Sequence, residues 1–496
     1  MSENNSNTKS GYFSLGSGEI RFIIGSLIAL FAVRVLAMFT IPFVHTTEAR
    51  YAEIARKMVE TNDWITPQFN YGIPFWGKPP LHTWLSAGGI EIFGANEFGP
   101  RFFIFGMTLL LLWIFYRWAS AIIGATPALV SVAVLSSAGM FFGAAAFVQT
   151  DMVMTFATTL VMMAFWNATH YDKNRKLWGL VVFVGMGLGM LAKGPVAVVL
   201  AGIPMFLWLL IGGRWRLLAR LPWVSGLILG FAICLPWYIA AEIKTPGFLR
   251  YFIIGEHYER FMVSGWQGDL YGSGHAEPKG RIWLYWPITF FPWSIVSIAL
   301  FTRARRVGTA FKSDADGWRS YLLLWALSPL FLFSFAANIL TAYVLPGLPA
   351  AAILLVVLWN DAFHQRIGKW AKAAFAVSIS VVVGVFLALA VISAVDIEAL
   401  NLRQHKGLLQ AMKQADPNAQ LVYYGARHYS GEYYTQGQAK TIDDLAQLNA
   451  LPTNNRVDAL AVYQSNPIVS DGSIPDAFEK LGLYGRYVLY IERQQE

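Results

Sequence analysis

The chain reads as an all-α polytopic membrane domain of about eleven transmembrane helices, followed by a small C-terminal α/β domain. Three observations predict this. Of 496 residues, 56% are hydrophobic and only 14% charged, with 19 Trp and 35 Phe, more apolar surface than a soluble globule can bury. Segments near the ~20 apolar residues that cross a bilayer recur up to about residue 395. Beyond that point charge, Asn and Gln return, and no segment is long enough to span.

Taken in order, the polar start MSENNSNTKSGYFSLGSGE has no signal-peptide cleavage pattern, and residues 1–20 are expected to form a short cytoplasmic tail. Apolar segments follow at roughly 21–43, 100–117, 120–140, 148–169, 177–192, 195–211, 222–241, 283–301, 320–337, 341–359 and 371–394. Positive charge checks the alternation. Lys173, Arg175 and Lys176, then Arg214, Arg216 and Arg220, then Arg303, Arg305, Arg306 and Lys312, then Arg366 and Lys369 all fall in loops expected to be cytoplasmic. An odd count puts residues 396–496 on the far side with the loops 44–99 and 242–282; in a bacterial inner membrane that is the periplasm. The membrane domain is thus expected over 21–395 and a periplasmic α/β domain over 396–496. In that tail LVYYGA, DALAVY and RYVLYIE read as strands, and LLQAMKQA and DAFEKLG as helices.

Composition also excludes. The single Cys234 lies in an apolar segment, so neither a disulfide framework nor a cysteine metal site is available. The net charge of +8 is dispersed in short loops, as orientation in a membrane demands, and no nucleic-acid partner is expected. No Gly-rich phosphate loop opens a helix of the tail.

The first loop opens on HTTEARYAEIARKMVETNDW, an amphipathic helix. Ala52, Ala55 and Val59 share one face, while Arg50, Glu53, Arg56 and Lys57 point away, and Glu48 falls in the middle of the apolar face. The remaining notable polar residues collect on the same expected side of the membrane: Lys78, Asp151, Lys193, Glu256, His257 and Arg260. Each has a bland reading. Glu48 would complement its helix dipole, Lys78 and Lys193 would snorkel to headgroups, and Glu256 with Arg260 would pair on a solvated helix face. Asp151 resists one, because a carboxylate at the mouth of an apolar span is costly unless paired or facing a wet cavity. His45, His82 and His275 have no metal-ligand spacing and read as surface or interface histidines. Two carboxylates with several cations beside an apolar groove suit a substrate with a phosphate head and a long lipid tail, that is, a polyprenyl-phosphate sugar.

The motifs TTEARYAEIARKM, DWITPQFN, WGKPPLHTWL, TDMVMTF, LAKGP, FLRYFIIGEHYERF and TAYVLPGLPA occur in this order over about 45–350. In this the chain resembles the bacterial GT-C glycosyltransferases that include lipid A aminoarabinose transferase and relatives of the dolichyl- or undecaprenyl-phosphate-mannose protein mannosyltransferases. The resemblance implies an inverting transfer from undecaprenyl-phosphate sugar on the periplasmic face. It implies catalytic roles for Glu48 and Asp151, and phosphate contacts for Arg50, Lys78 and Arg260; Lys193, Glu256, His257 and Tyr343 complete the expected substrate-binding set. Two positions depart from the family. Thr47 stands where an acid often precedes the glutamate, and Gly77 where an acid usually precedes Lys-Pro-Pro, so neither a metal nor another cofactor is expected.

The expected reaction is attack by an acceptor on the anomeric carbon, with polyprenyl phosphate leaving. A hydroxyl acceptor on lipid A, another envelope glycan or a protein needs Glu48 or Asp151 as base; a lipid phosphate needs none. Two rivals stand beside it: a transporter or flippase of lipid-linked sugars, which would want polar residues in mid-span and internal repeats, and a non-catalytic assembly protein that recruits partners.

Overall fold

The computed structural model describes residues 11–44, 46–272, 275–364, 368–399, 404–453 and 456–493. His45 and Arg366 lie outside them. Every one of the eleven apolar segments carries helix. Eight are long and apolar enough to cross a bilayer: Ser17–Thr40, Gly99–Ile123, Thr150–His170, Arg175–Lys193, Pro195–Gly212, Trp223–Lys244, Thr341–Phe363 and Lys369–Val395. A ninth is broken, Ile282–Thr289 meeting Trp293–Lys312 at a 103° bend. Pro287 and Pro292 flank the break, and a proline removes a helix donor and clashes with the preceding turn. The segments expected at 120–140 and 320–337 are shorter helices, Ala125–Ser136 and Trp318–Phe333. This is a multi-span membrane protein.

The chain divides into two compact units: residues 1–34, 64–82 and 103–384 in the first, 35–63, 83–102 and 385–496 in the second. The centre of the first unit is helix Thr150–His170, buried along nearly its whole length and packed on Arg175–Lys193. Gly185 lets these two approach, since a Cβ there would stand 2.7 Å from Val161 Cγ2. Trp208, Tyr321 and Trp325 fill the space behind, each almost fully buried.

In the second unit the tail forms a five-stranded mixed sheet in the order Lys440–Ile442, Gln420–Tyr424, Asp458–Tyr463, Tyr487–Glu492, Phe478–Tyr484. The first three strands run parallel, and the last two pair antiparallel. Alternation builds two cores: Val422, Leu460 and Val462 face one side, Leu421, Tyr423, Ala459 and Ala461 the other, where helix Lys406–Ala415 contributes Leu408, Leu409 and Met412. One tail element departs from expectation. The DAFEKLG segment, expected as a helix, supplies most of the edge strand Phe478–Tyr484, hairpinned to Tyr487–Glu492 through Gly485 at φ 56°. Cross-strand pairing overrides a weak local helix preference.

Candidate active site

In the first unit the polar residues converge at helix ends. Lys78 follows the short hairpin Gln68–Asn70/Ile73–Pro74 and reaches Glu256 Oε2 at 2.7 Å. Glu256 lies in Tyr251–Glu259, a stretch wound with i→i+5 hydrogen bonds, a form that recurs at functional sites. Arg260 donates to Glu256 Oε1 at 3.0 Å and sits 3.1 Å from Asp269 Oδ2. The Glu256 side chain is 3% exposed, so the solvated-face reading fails. Burial alone would raise its pKa; Lys78 and Arg260 outweigh that and bring it down to about 2.

Asp151 opens helix Thr150–His170, and Lys193 closes helix Arg175–Lys193; they meet at 2.6 Å, both buried. Lys193 is therefore a paired charge, and its Nζ also lies 4.2 Å from the centroid of the Tyr343 ring. The turn after Lys193 requires Gly194 twice over: its φ is +90°, and a Cβ would stand 2.9 Å from His257 Nε2. Both nitrogens of His257 face backbone carbonyls, Nδ1 at 2.7 Å from Phe252 and Nε2 at 3.3 Å from Lys193. Burial, supported by Lys78, lowers its pKa, against the two carbonyl contacts that raise it. His82, expected at a surface or an interface, is fully buried, and burial followed by Lys78 pushes it down to about 3.

Lys78, Lys193, Glu256, His257, Arg260 and Tyr343 line one cavity of about 280 Å³. Val196, Val199, Phe261, Leu332 and Phe333 add apolar lining. Asn338 belongs to the same lining and was not singled out in the sequence. Its Nδ2 donates to the Arg260 and Val263 carbonyls at 2.7 and 3.0 Å, which fixes the amide and leaves Oδ1 without a hydrogen-bond partner among the described residues. The only signal available was an amide next to the TAYVLPGLPA motif.

Glu48 and Arg50 belong to the second unit. Glu48, 2% exposed in the first turn of helix Thr47–Thr61, accepts two hydrogen bonds from Arg101, Nε to Oε1 at 2.8 Å and Nη2 to Oε2 at 2.7 Å. Arg101 Nη1 also donates to the carbonyls of Met38 and Ile41, and its guanidinium lies over the Phe43 ring. Arg50, half-buried, has its guanidinium over Tyr51. The outward face of this helix corrects the amphipathic reading: Glu53, Arg56 and Lys57 are 1%, 5% and 1% exposed. Arg56 grips Glu53 at 2.7 and 2.9 Å, and Lys57 stands 3.3 Å from both Glu53 and Glu432. Helix Tyr429–Tyr434 covers this face, so its charges are buried in pairs.

Residues 20–252 match the family model described as dolichyl-phosphate-mannose-protein mannosyltransferase. Among curated relatives, the undecaprenyl phosphate-alpha-4-amino-4-deoxy-L-arabinose arabinosyl transferase of Edwardsiella ictaluri is 30% identical over 62% of this chain and 54% of its own length. A protein of the same name from Pseudomonas fluorescens is 30% identical over 75% of this chain and 63% of its own. The chain thus spans between about half and two thirds of these relatives. In fold it is similar to ArnT from Cupriavidus metallidurans bound to undecaprenyl phosphate, with a TM-score of 0.78 and 18% identity, covering 97% of this chain and 99% of that one. The apo form of that protein gives a TM-score of 0.74. The fold is GT-C.

Proposed function

We propose that this chain is a membrane glycosyltransferase that moves a sugar, with inversion, from polyprenyl (undecaprenyl) phosphate to lipid A or another envelope glycan. The observation that carries it is a single cavity lined both by Lys78, Lys193 and Arg260 and by aliphatic and aromatic side chains. That mixture suits a phosphate head on a hydrocarbon tail, and the relatives' names carry the same donor class. The acceptor oxygen bonds to the anomeric carbon as the bond from that carbon to the phosphate oxygen breaks. Charge then grows on the leaving phosphate, where Lys78 and Arg260 would stabilise it. Both cations already share Glu256 and Arg260 also meets Asp269, so two cations face two carboxylates before the phosphate enters and draws the cations toward itself. Glu48 or Asp151 takes the proton of a hydroxyl acceptor; a phosphate acceptor brings none, and the carboxylates then orient the donor sugar.

The reading extends to placement. Residues 1–20 would be cytoplasmic, 21–395 the catalytic membrane domain of a bacterial inner membrane, and 396–496 a periplasmic domain, with the site on the periplasmic face. Purified protein incubated with radiolabelled undecaprenyl-phosphate aminoarabinose and lipid A should yield labelled lipid A. Label reaching neither lipid A nor any other envelope lipid fraction would end the proposal. Alkaline phosphatase fused after Glu496 should be active; an inactive fusion would reverse the orientation.

A further inference from the structure

We propose that the C-terminal domain is a clamp that holds helix Thr47–Thr61, and through it the Glu48 carboxylate, in working position, with Lys57 and Glu432 as its positioning residues. This rests on the reading of Glu48 as catalytic. All the groups involved lie within the second unit.

The tail grips the helix at two points. At one, Glu432 stands 3.3 Å from Lys57 Nζ and accepts from Arg427, with Nη2 at 2.8 Å. Burial would raise the Glu432 carboxyl, but Arg427 and Lys57 hold it below the usual range, so it stays charged beside them. At the other, the tail takes hold of the peptide that leads into the helix: Tyr434 accepts from the Phe43 N–H at 2.9 Å, and Ser430 donates to the Phe43 carbonyl at 3.0 Å. Tyr434 then donates to Glu97 at 3.0 Å, and Tyr433 to the Asn96 carbonyl at 2.9 Å, just before the helix that carries Arg101. Phe43 in turn lies under the Arg101 guanidinium that binds Glu48. Both residues of the Glu48–Arg101 pair are therefore held from segments the tail has fastened.

Physical chemistry explains why a clamp is needed. A 15-residue helix is marginal by itself and takes its stability and its place from what it packs against. A buried ion pair adds little net stability but penalises misalignment heavily, because a slip strands a charge away from water. Lys57 between Glu53 and Glu432 makes the helix's rotation and height nearly all-or-none.

The test uses the full chain in lipid nanodiscs. Glu432→Gln keeps the shape and removes the charge. Amides of Thr47–Thr61 should exchange about tenfold faster, kcat should fall about 10- to 100-fold, the cost of an ångström-scale misplacement, and donor KM should stay within about twofold. Lys57→Met should act alike, and the double variant should be no worse than the poorer single, since the two share one interaction. Glu432→Asp should recover part of the loss. If Glu432→Gln does not fold, Lys57→Arg is read by the same criteria. Unchanged exchange across the helix overturns the clamp, and faster exchange with wild-type kcat overturns its positioning role. Glu48→Gln runs alongside: wild-type turnover there sinks the catalytic reading and this proposal with it, whereas an inactive Glu48→Gln beside a fully active Glu432→Gln sinks the clamp alone.

Discussion

Arg101 holds Glu48 by two nearly parallel hydrogen bonds of 2.8 and 2.7 Å, both side chains being almost completely shielded from solvent. A planar fork on a carboxylate fixes orientation as well as charge, which a helix dipole alone would not do. Glu48 is therefore aimed.

The first prediction separates that aim from mere stability. Glu48→Gln should lower transfer by about 10²- to 10⁴-fold if the carboxylate acts at the reacting centre, while Arg101→Lys, which keeps charge and loses the fork, should fall between it and wild type. Arg101→Ala leaves a buried carboxylate alone and should destabilise the protein by about 3–5 kcal/mol, read as a fall in the melting temperature of the solubilised protein. The control is Glu60→Gln, whose side chain is 48% exposed and should change little. Wild-type transfer by folded Glu48→Gln would remove it from the chemistry.

Donor recognition makes the second. If both meet one phosphate, Lys78→Ala and Arg260→Ala should each reduce kcat/KM for the lipid-phosphate donor about 10- to 100-fold, and the double variant should lose less than the product. Lys78→Arg should recover only part, a guanidinium being no substitute for a compact ammonium between Gly77 and Glu256. Unaltered kinetics in both alanine variants would exclude the phosphate role.

Acid stability gives the third, with the signs as follows. Glu256 titrates near 2 in the folded protein against an ordinary 4.5, so its contribution of about 3 kcal/mol is present above pH 4.5 and lost as pH falls toward 2. His82, near 3 against 6.5, is held neutral in the fold, so protonation of the unfolded chain erodes stability as pH drops below 6.5. Unfolding measured from pH 7 to 3 should show stability falling first through the histidine window and then through the carboxylate window. His82→Gln should reduce the first, His257 keeping a share of it, and Glu256→Gln should reduce the second. A slope between pH 6.5 and 5 unchanged in His82→Gln would refute the first assignment.

A fourth concerns the Asp151–Lys193 pair. Lys193→Met should cost more stability than Asp151→Asn and Lys193→Met together, since the single variant leaves a carboxylate buried without its partner. Melting temperatures of the three variants decide it, and strict additivity would mean the two charges are not coupled.

What the sequence made legible follows from the range of each signal. Hydropathy acts over twenty residues and located helix at all eleven apolar segments, yet it is blind to a chain break at Pro292 or to a helix of only 12 residues at Ala125–Ser136. Charges misplaced in apolar context singled out Lys78, Asp151, Lys193, Glu256 and Arg260 because burying a charge is expensive. Their pairings, Lys78 with Glu256 across 178 positions and Asp151 with Lys193 across 42, are tertiary and carry no local signature. Asn338 escaped, and His82 was read only as a surface or interface histidine, for the opposite reason: both are side chains that can be buried neutral without an ion partner. The helix Thr47–Thr61 misled most. Periodicity distinguished two chemically different faces, and the polar one was taken as the wet one, whereas Glu53, Arg56 and Lys57 are covered by a segment nearly 380 residues away.

That covering has a practical corollary for anyone who wishes to label or re-engineer the protein. Between Glu48 and Met58 the helix offers almost no neutral surface, since only Arg50 is even partly open and every other side chain from Ala49 on is enclosed. A single inserted residue would turn everything beyond it by about 100° and bring charge against apolar packing and apolar groups against charge. The permissive stretch begins abruptly at Glu60, Thr61 and Asn62, all exposed, with Asn62 ending the helix in a left-handed conformation at φ 53°. A fluorophore, spin label or cross-linker placed at Glu60 or Thr61 would report on the helix and leave Asn62, suited to its left-handed φ, in place.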